Sequence, residues 1–220
     1  MTQRGLPYPA FPAAFGRADF CVSPCNSAAV QWIDCWPDWP VPALLLYGPQ
    51  ACGKTHLARV WQARTGAVLI LGQALEEAMV PDLAAAAGVV VDNADGAPER
   101  ALLHLYNACR ERRRGLLLTA RRPAAEWPVA LPDLASRLRS LPAAGIAAPD
   151  DTLLAAVLVK HFSDRQLHVG KKIVDYLVPR MERSFGAAAA LAAAIAAEGG
   201  EIDIALARRV LDQSSDESEA

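Results

Sequence analysis

Eight consecutive residues, Gly48-Pro49-Gln50-Ala51-Cys52-Gly53-Lys54-Thr55, fit the pattern G-x-x-x-x-G-K-[ST]. Each fixed position has a physical reason. The two glycines permit a tight loop and close backbone approach to a ligand. Successive N–H groups and the start of the following helix then face phosphate oxygens. In such a loop Lys54 reaches the β and γ phosphates of a nucleotide, and the Thr55 hydroxyl sits on magnesium. An ordinary glycine turn leaves Lys54-Thr55 without a reason.

A second chemical signal lies in "GVVVDNADG", residues 88–96. Asp92 ends an apolar run, where a carboxylate would hold magnesium through its water shell at the carboxyl edge of a sheet. Alone, it reads more readily as a strand-end Asp capping a turn; the phosphate loop beside it is what turns the reading to magnesium. The next residue, Asn93, cannot accept a proton from water, so intrinsic hydrolysis is expected to be slow. Asp95 could replace it only if the turn after the strand brought it back. No second metal signal is present. The five cysteines, Cys21, Cys25, Cys35, Cys52 and Cys109, lack paired zinc spacing and are expected as reduced thiols in a reducing cytoplasm.

The loop needs a strand before it and a helix after it, and the pattern supplies both. "ALLLYG" (43–48) reads as a buried strand, followed by a helix through "GKTHLARVWQART". "AVLIL" (67–71), "GVVVD" (88–92) and "GLLLTA" (115–120) are further apolar runs, and a weaker fifth strand is expected near 145–148. A helix is expected over 98–114. Continuous apolar strands alternating with helices imply an α/β fold with a parallel five-stranded sheet covered on both faces. After Pro149 only helical patterns remain, which predicts a small all-helical C-terminal domain. Residues 1–16 look like an extended arm, 17–148 like the nucleotide-binding α/β domain, 149–212 like the helical domain and 213–220 like an acidic, disordered tail. The chain is 53% hydrophobic and 21% charged, so a packed core is expected and wholesale disorder is not. No apolar run reaches the ~20 residues of a membrane span, and no secretory signal pattern opens the chain. A net charge of −2 argues against a generally basic nucleic-acid binder.

The ordered set "LYGPQACGKTHLA", "VVVDNAD", "LLLTARRP" and "LPDLASRL" resembles the DnaA-like branch of the AAA+ ATPases, and within it the Hda family of regulatory inactivators. His56 after the loop threonine is typical of that branch. The resemblance implies a P-loop AAA+ core with a helical lid, occupied by ADP or ATP with Mg2+. It places Phe20, Val22 and Asn26 in the segment lining the base pocket, and Thr119 at a γ-phosphate sensor position that a plain strand-end threonine would also fill. Arg183, with Arg180 as rival, matches the lid arginine. Arg137 matches an arginine finger that acts on a nucleotide held by a partner, with Arg139 as rival. Asn93, and the expectation that no helix-turn-helix domain follows residue 212, direct the resemblance to the inactivators rather than the initiator. Ala51 and Cys52 depart from the family loop, because a methyl at a positive-φ position costs ~1 kcal/mol. Arg121 departs too, standing where relatives carry Asp.

The segment "QRGLPY" (3–8) resembles the clamp-binding peptides of the same family, with Gln3, Leu6 and Pro7 as contacts to the DNA polymerase sliding clamp. Between residues 100 and 122, Arg100, Arg110, Arg112, Arg113, Arg114, Arg121 and Arg122 face one acid, Glu111. That run reads as a solvated helix end rather than a DNA contact, for no aromatic residue is interleaved for stacking. The implied function is negative control of replication initiation. A clamp-tethered protein with weak ATPase activity of its own stimulates hydrolysis of ATP bound to DnaA, and meets DNA only through the clamp. An autonomous ATPase acting as helicase loader or remodeller, a nucleotide-gated adaptor without a finger, and a homodimeric state all stay open.

Overall fold

The computed structural model describes residues 22–200 and 202–216, with side chains to residue 213. The arm at 1–16, with Gln3, Leu6 and Pro7, lies outside the described residues, as do Phe20 and the last four residues of the tail. The described chain divides into two compact units, residues 24–147 and, with residues 22–23, residues 148–216.

In the first unit, α1 (Ser27–Asp34) precedes β1 (Ala43–Tyr47), the phosphate loop and α2 (Lys54–Thr65). There follow β2 (Val68–Leu71), α3 (Val80–Ala85), β3 (Gly88–Asp92), α4 (Glu99–Glu111), β4 (Gly115–Ala120), α5 (Pro132–Arg139) and β5 (Ala143–Gly145). The strands lie in the order β2-β3-β4-β1-β5 and every pair is parallel. β3 and β4 are buried along their whole length, which is why they read as unbroken apolar runs rather than alternating ones. β2 is an edge strand and leaves Val68 and Leu71 exposed.

Register decides which residues meet at the carboxyl edge. Leu46 pairs with Thr119, and Val91 with Leu118, so the ends of β1, β4 and β3 stop level with one another. The fifth strand is found two residues earlier than its sequence signal, at 143–145 instead of 145–148. The chain is diverted where the phosphate loop begins. A Cβ at Gly48 would stand 2.1 Å from the Ile146 carbonyl oxygen, and Ala147 N leaves the sheet to donate to Cys25 O at 3.0 Å.

Each face of the sheet is filled differently. One carries α3, α4 and α5 over Leu45, Val89, Val91, Leu116 and Leu118. Across the other lies a tryptophan box, in which Trp61 of α2 stacks on Trp39 with centroids 5.6 Å apart and meets Trp36 edge-on at 5.5 Å. Gly115 makes room for it, since a Cβ there would come within 2.7 Å of Trp61 and 2.8 Å of Trp36. Arg64, at the end of α2, donates to the carbonyls of Ile33, Asp34 and Trp36 and so ties α1 to α2.

Among its described residues the second unit has helices and no strands: α6 (Asp151–Asp164), α7 (Lys171–Leu177), α8 (Phe185–Glu198) and α9 (Ile204–Asp216). Side-chain caps set three of the starts. Asp150 accepts from Leu153 N at 2.8 Å, Ser184 from Ala187 N at 3.0 Å and Asp203 from Leu206 N at 2.8 Å. The Ala-rich stretch within α8 lets it lie close against α6 and α9 around Leu154, Leu158 and Phe162. α9 continues through Asp216, so the helix takes in the first four residues that the sequence assigned to the tail.

Candidate functional site

The phosphate loop is built by three local features. Gly48 N donates to Ala120 O at 3.2 Å, which fastens the loop to β4. Ala51 adopts φ 55°, the left-handed region that its methyl disfavours. Gly53 at φ 99° turns the chain into α2. Lys54 is 7% exposed, and its Nζ donates to Gly48 O at 2.8 Å and Pro49 O at 2.6 Å. Pro49, Gln50 and Ala51 are exposed, and His56 is half-buried in the first turn of α2. Cys52 is buried with Sγ 3.7 Å from Lys54 Nζ. Burial pushes its thiol pKa up, and the neighbouring ammonium pulls it part of the way back.

Asp92, 5% exposed, joins the loop to the sheet. Thr55 Oγ1 donates to its two carboxylate oxygens at 3.2 and 3.0 Å. Thr119 Oγ1 also donates to Asp92, in a very short hydrogen bond, and accepts from Asn93 N at 3.0 Å. Thr55, Asp92 and Thr119 therefore form one connected group, while the Lys54 ammonium is held by the loop's own carbonyls. The Thr119 hydroxyl, read from sequence as a phosphate sensor or a plain strand end, is bonded to the acid. Asn93 sits at φ 55° on the exposed side of the turn. The turn does bring Asp95 back, but to another job: its Oδ2 accepts from Arg121 N at 3.1 Å.

The donors at this edge are a hydroxyl and a carboxylate. Such hard oxygens suit magnesium that is carried in on phosphates, since Mg2+ is usually bound through one or two carboxylates plus the nucleotide. Among the described residues no group of three His, Cys, Asp or Glu is placed to cage a metal. No helix of the described residues is long and apolar enough to cross a membrane.

Other sequence candidates fall elsewhere. Arg137 is half-buried in the last turn of α5, its guanidinium carbon 5.8 Å from the ring centre of Tyr106 on α4, while Arg139 is exposed. In the helical unit Arg183 pairs with Asp151 at 2.6 Å, and Arg180 lies over Tyr176 at 4.2 Å. Asn26 is buried just before α1, and Val22 is exposed. The arginine-rich run does not make one surface. Arg110, Arg112, Arg113 and Arg114 stand before β4, whereas Arg121 and Arg122 stand beyond it, and six strand residues span roughly 20 Å. Arg100 is held near Glu77 at 3.7 Å.

One side chain that the sequence did not single out has an unusual pattern of contacts. Glu99, in the first turn of α4, accepts from two successive amides of the segment before α5, Ala130 N at 2.9 Å and Leu131 N at 2.7 Å. A glutamate in a first helical turn normally signals only a favourable helix end.

No protein-family model matches the sequence, and no curated protein matches it. Solved structures do match in fold. Domain III of the Thermotoga maritima replication initiation protein DnaA superimposes with a TM-score of 0.75 at 15% identity, covering 93% of this chain and 98% of that one. DnaA from Aquifex aeolicus bound to AMPPCP gives 0.72 at 16% identity, covering 86% of this chain and 67% of that one. The Thermotoga maritima RuvB Holliday junction branch migration motor gives 0.64 at 15% identity, covering 77% and 61%. The five-stranded parallel sheet with its helical companion unit is the AAA+ fold.

Proposed function

We propose that this AAA+ chain binds an adenine nucleotide and acts as a regulator of the Hda kind, stimulating hydrolysis of ATP that DnaA holds. The observation that carries the reading is the pair Asp92-Asn93 beside a complete phosphate loop. Asp92 bridges Thr55 and Thr119, whereas Asn93 has no carboxylate and Asp95 gives an oxygen to Arg121 N. Such a site is equipped to hold a triphosphate or diphosphate and poorly equipped to activate water. ADP is then the occupant in the working form. Bound with the nucleotide, Mg2+ supplies charge neutralisation at the phosphates, and Thr55 and Asp92 are the residues to hold it.

Chemistry is thereby moved to the partner. Arg137 at the end of α5 is the finger, offered to the γ-phosphate of a neighbouring DnaA, where such a group is worth ~10³–10⁵ in rate. Its resting contact with Tyr106 does not oppose this. The 5.8 Å separation is near the outer limit of a cation–π contact, and at a half-buried site it is worth under ~1 kcal/mol. Gln3, Leu6 and Pro7 tether the protein to the sliding clamp, so DNA is met through the clamp.

The deciding experiment measures hydrolysis of DnaA-bound ATP in the presence of DNA-loaded clamp. Wild type should stimulate it, and Lys54→Ala and Arg137→Ala should each lose most of the stimulation. A second reading, a nucleotide-gated adaptor without a finger, takes the Arg137–Tyr106 contact as packing alone. Full stimulation by Arg137→Ala would establish that reading in place of the first.

A further inference from the structure

We infer that Glu99 is a positioning residue: by gripping the backbone before α5 it sets where Arg137 stands, so that the helix carrying the arginine is aimed from the helix that follows Asp92. The inference rests on the role of Arg137 proposed above, and it names the device that sets that residue's reach.

The geometry is specific. Glu99 places one oxygen on Ala130 N at 2.9 Å and the other on Leu131 N at 2.7 Å. Leu131 is the extended residue at which α5 starts, and Pro132 is its first helical position. A carboxylate chelating two successive amides fixes both the position and the direction of the chain it holds, and charge strengthens each bond. The far end of α5 rests on the same helix, because Arg137 lies over Tyr106 of α4. α4 therefore holds α5 at both ends. α4 itself is anchored to the nucleotide edge. Glu99 follows Asp92 by seven residues, and the turn between them is fastened when Asp95 accepts from Arg121 N.

A plain helix-end charge would not need this arrangement. Glu99 makes no side-chain cap on its own helix, whose N-cap is Pro98. Both its oxygens are spent on another segment. Glutamine keeps the size of the side chain but has one acceptor oxygen and no charge, so Glu99→Gln breaks the arrangement of one oxygen for each amide and weakens the grip. Positioning errors are expensive at a reacting centre, where a displacement of about 1 Å can lower a rate by on the order of 100-fold.

The test uses the full chain with DNA-loaded clamp and ATP-bound DnaA. Glu99→Gln and Glu99→Ala should speed hydrogen exchange at the amides of Ala130 and Leu131 in the isolated protein, while leaving its ADP affinity within about twofold. Both should lower the maximal rate of DnaA-bound ATP hydrolysis by on the order of 10- to 100-fold, with the half-saturating concentration little changed. In an Arg137→Ala background Glu99→Ala should cause no further loss, because it acts through that arginine. Unchanged exchange at the two amides overturns the inference. So does an unchanged maximal rate for the Glu99 variants when Arg137→Ala abolishes stimulation, or an extra loss in the double variant. Retention of full stimulation by Arg137→Ala alone is a different failure: it removes the proposed function, and the aiming role with it, even where exchange shows the docking intact.

Discussion

Lys54 shows how a side chain singled out for its type can still hold a surprise in place. The motif asks for an ammonium at the phosphates, and the structure seats it on the carbonyls of Gly48 and Pro49, where it completes the loop. Replacing Lys54 with Ala should weaken ADP and ATP binding by roughly 10- to 100-fold, the value of a charge-assisted hydrogen bond, as read by equilibrium dialysis. Affinity equal to wild type would exclude this loop as the phosphate site. Ala51 offers a test in the other direction. Its φ of 55° carries a strain of ~1–2 kcal/mol that glycine would relieve, against ~0.5–1 kcal/mol of added chain entropy in the unfolded state. Ala51→Gly should therefore raise the thermal midpoint by up to about 3 °C in calorimetry. Cys109 makes stability depend on pH. Burial pushes its thiol from 9.0 to about 11, with Arg112 pulling slightly the other way. Between those values the unfolded chain has lost the proton and the folded chain keeps it, so stability must fall as pH rises from about 9 to about 11. Urea unfolding at pH 8 and pH 10.5 should show a loss on the order of 2 kcal/mol in wild type that Cys109→Ala lacks. An equal slope in both proteins would assign the pH dependence elsewhere.

At the scale of elements, the strands were legible because burial on both faces writes itself as runs such as "GVVVD" and "GLLLTA". The start of the helical unit was legible too, in the helical patterns after Pro149, and Asp150 caps α6 there. What escaped is what depends on distant partners. α1 is short and gives little periodicity, and it is fastened from outside by Arg64 through three carbonyls. β5 ends early because Ala147 N turns away to Cys25 O, where only a glycine at position 48 leaves room for the Ile146 carbonyl nearly a hundred residues away. Glu99 looked like any first-turn acid, for nothing in its neighbourhood announces the amides of residues 130 and 131. The site followed the same division. Lys54 and Thr55 were singled out by spacing and Asp92 by its place at the end of an apolar run, but the hydroxyl of Thr119 could be placed on Asp92 only by the register of β3 and β4. One packing test belongs here. Gly115→Ala would drive a methyl to within 2.7 Å of Trp61 at the head of a central strand, and overpacking of this kind costs ~1–3 kcal/mol. Chemical denaturation should report that loss, and an unchanged midpoint would mean that the indole box yields freely.

Taken whole, the molecule separates its charges and its tasks. The seven arginines of residues 100–122 are divided by β4 between opposite edges of the sheet, so the dense sequence run gives no single basic face. Changing Arg112, Arg113 and Arg114 together to Ser should accordingly leave stimulated hydrolysis within about twofold. A larger fall that is greatest at low salt and shrinks as salt rises would instead make that end of the sheet a contact for phosphate backbones. Trp61 has a practical consequence of its own. It lies on α2, the very helix whose first residues are Lys54 and Thr55, and its indole is pressed against two others in a dry enclosure. Any turn of that helix on ligand binding would alter ring overlap and hence quantum yield. The protein thus carries its own lamp, and titrating it with ADP under ultraviolet light would register occupancy with no dye attached.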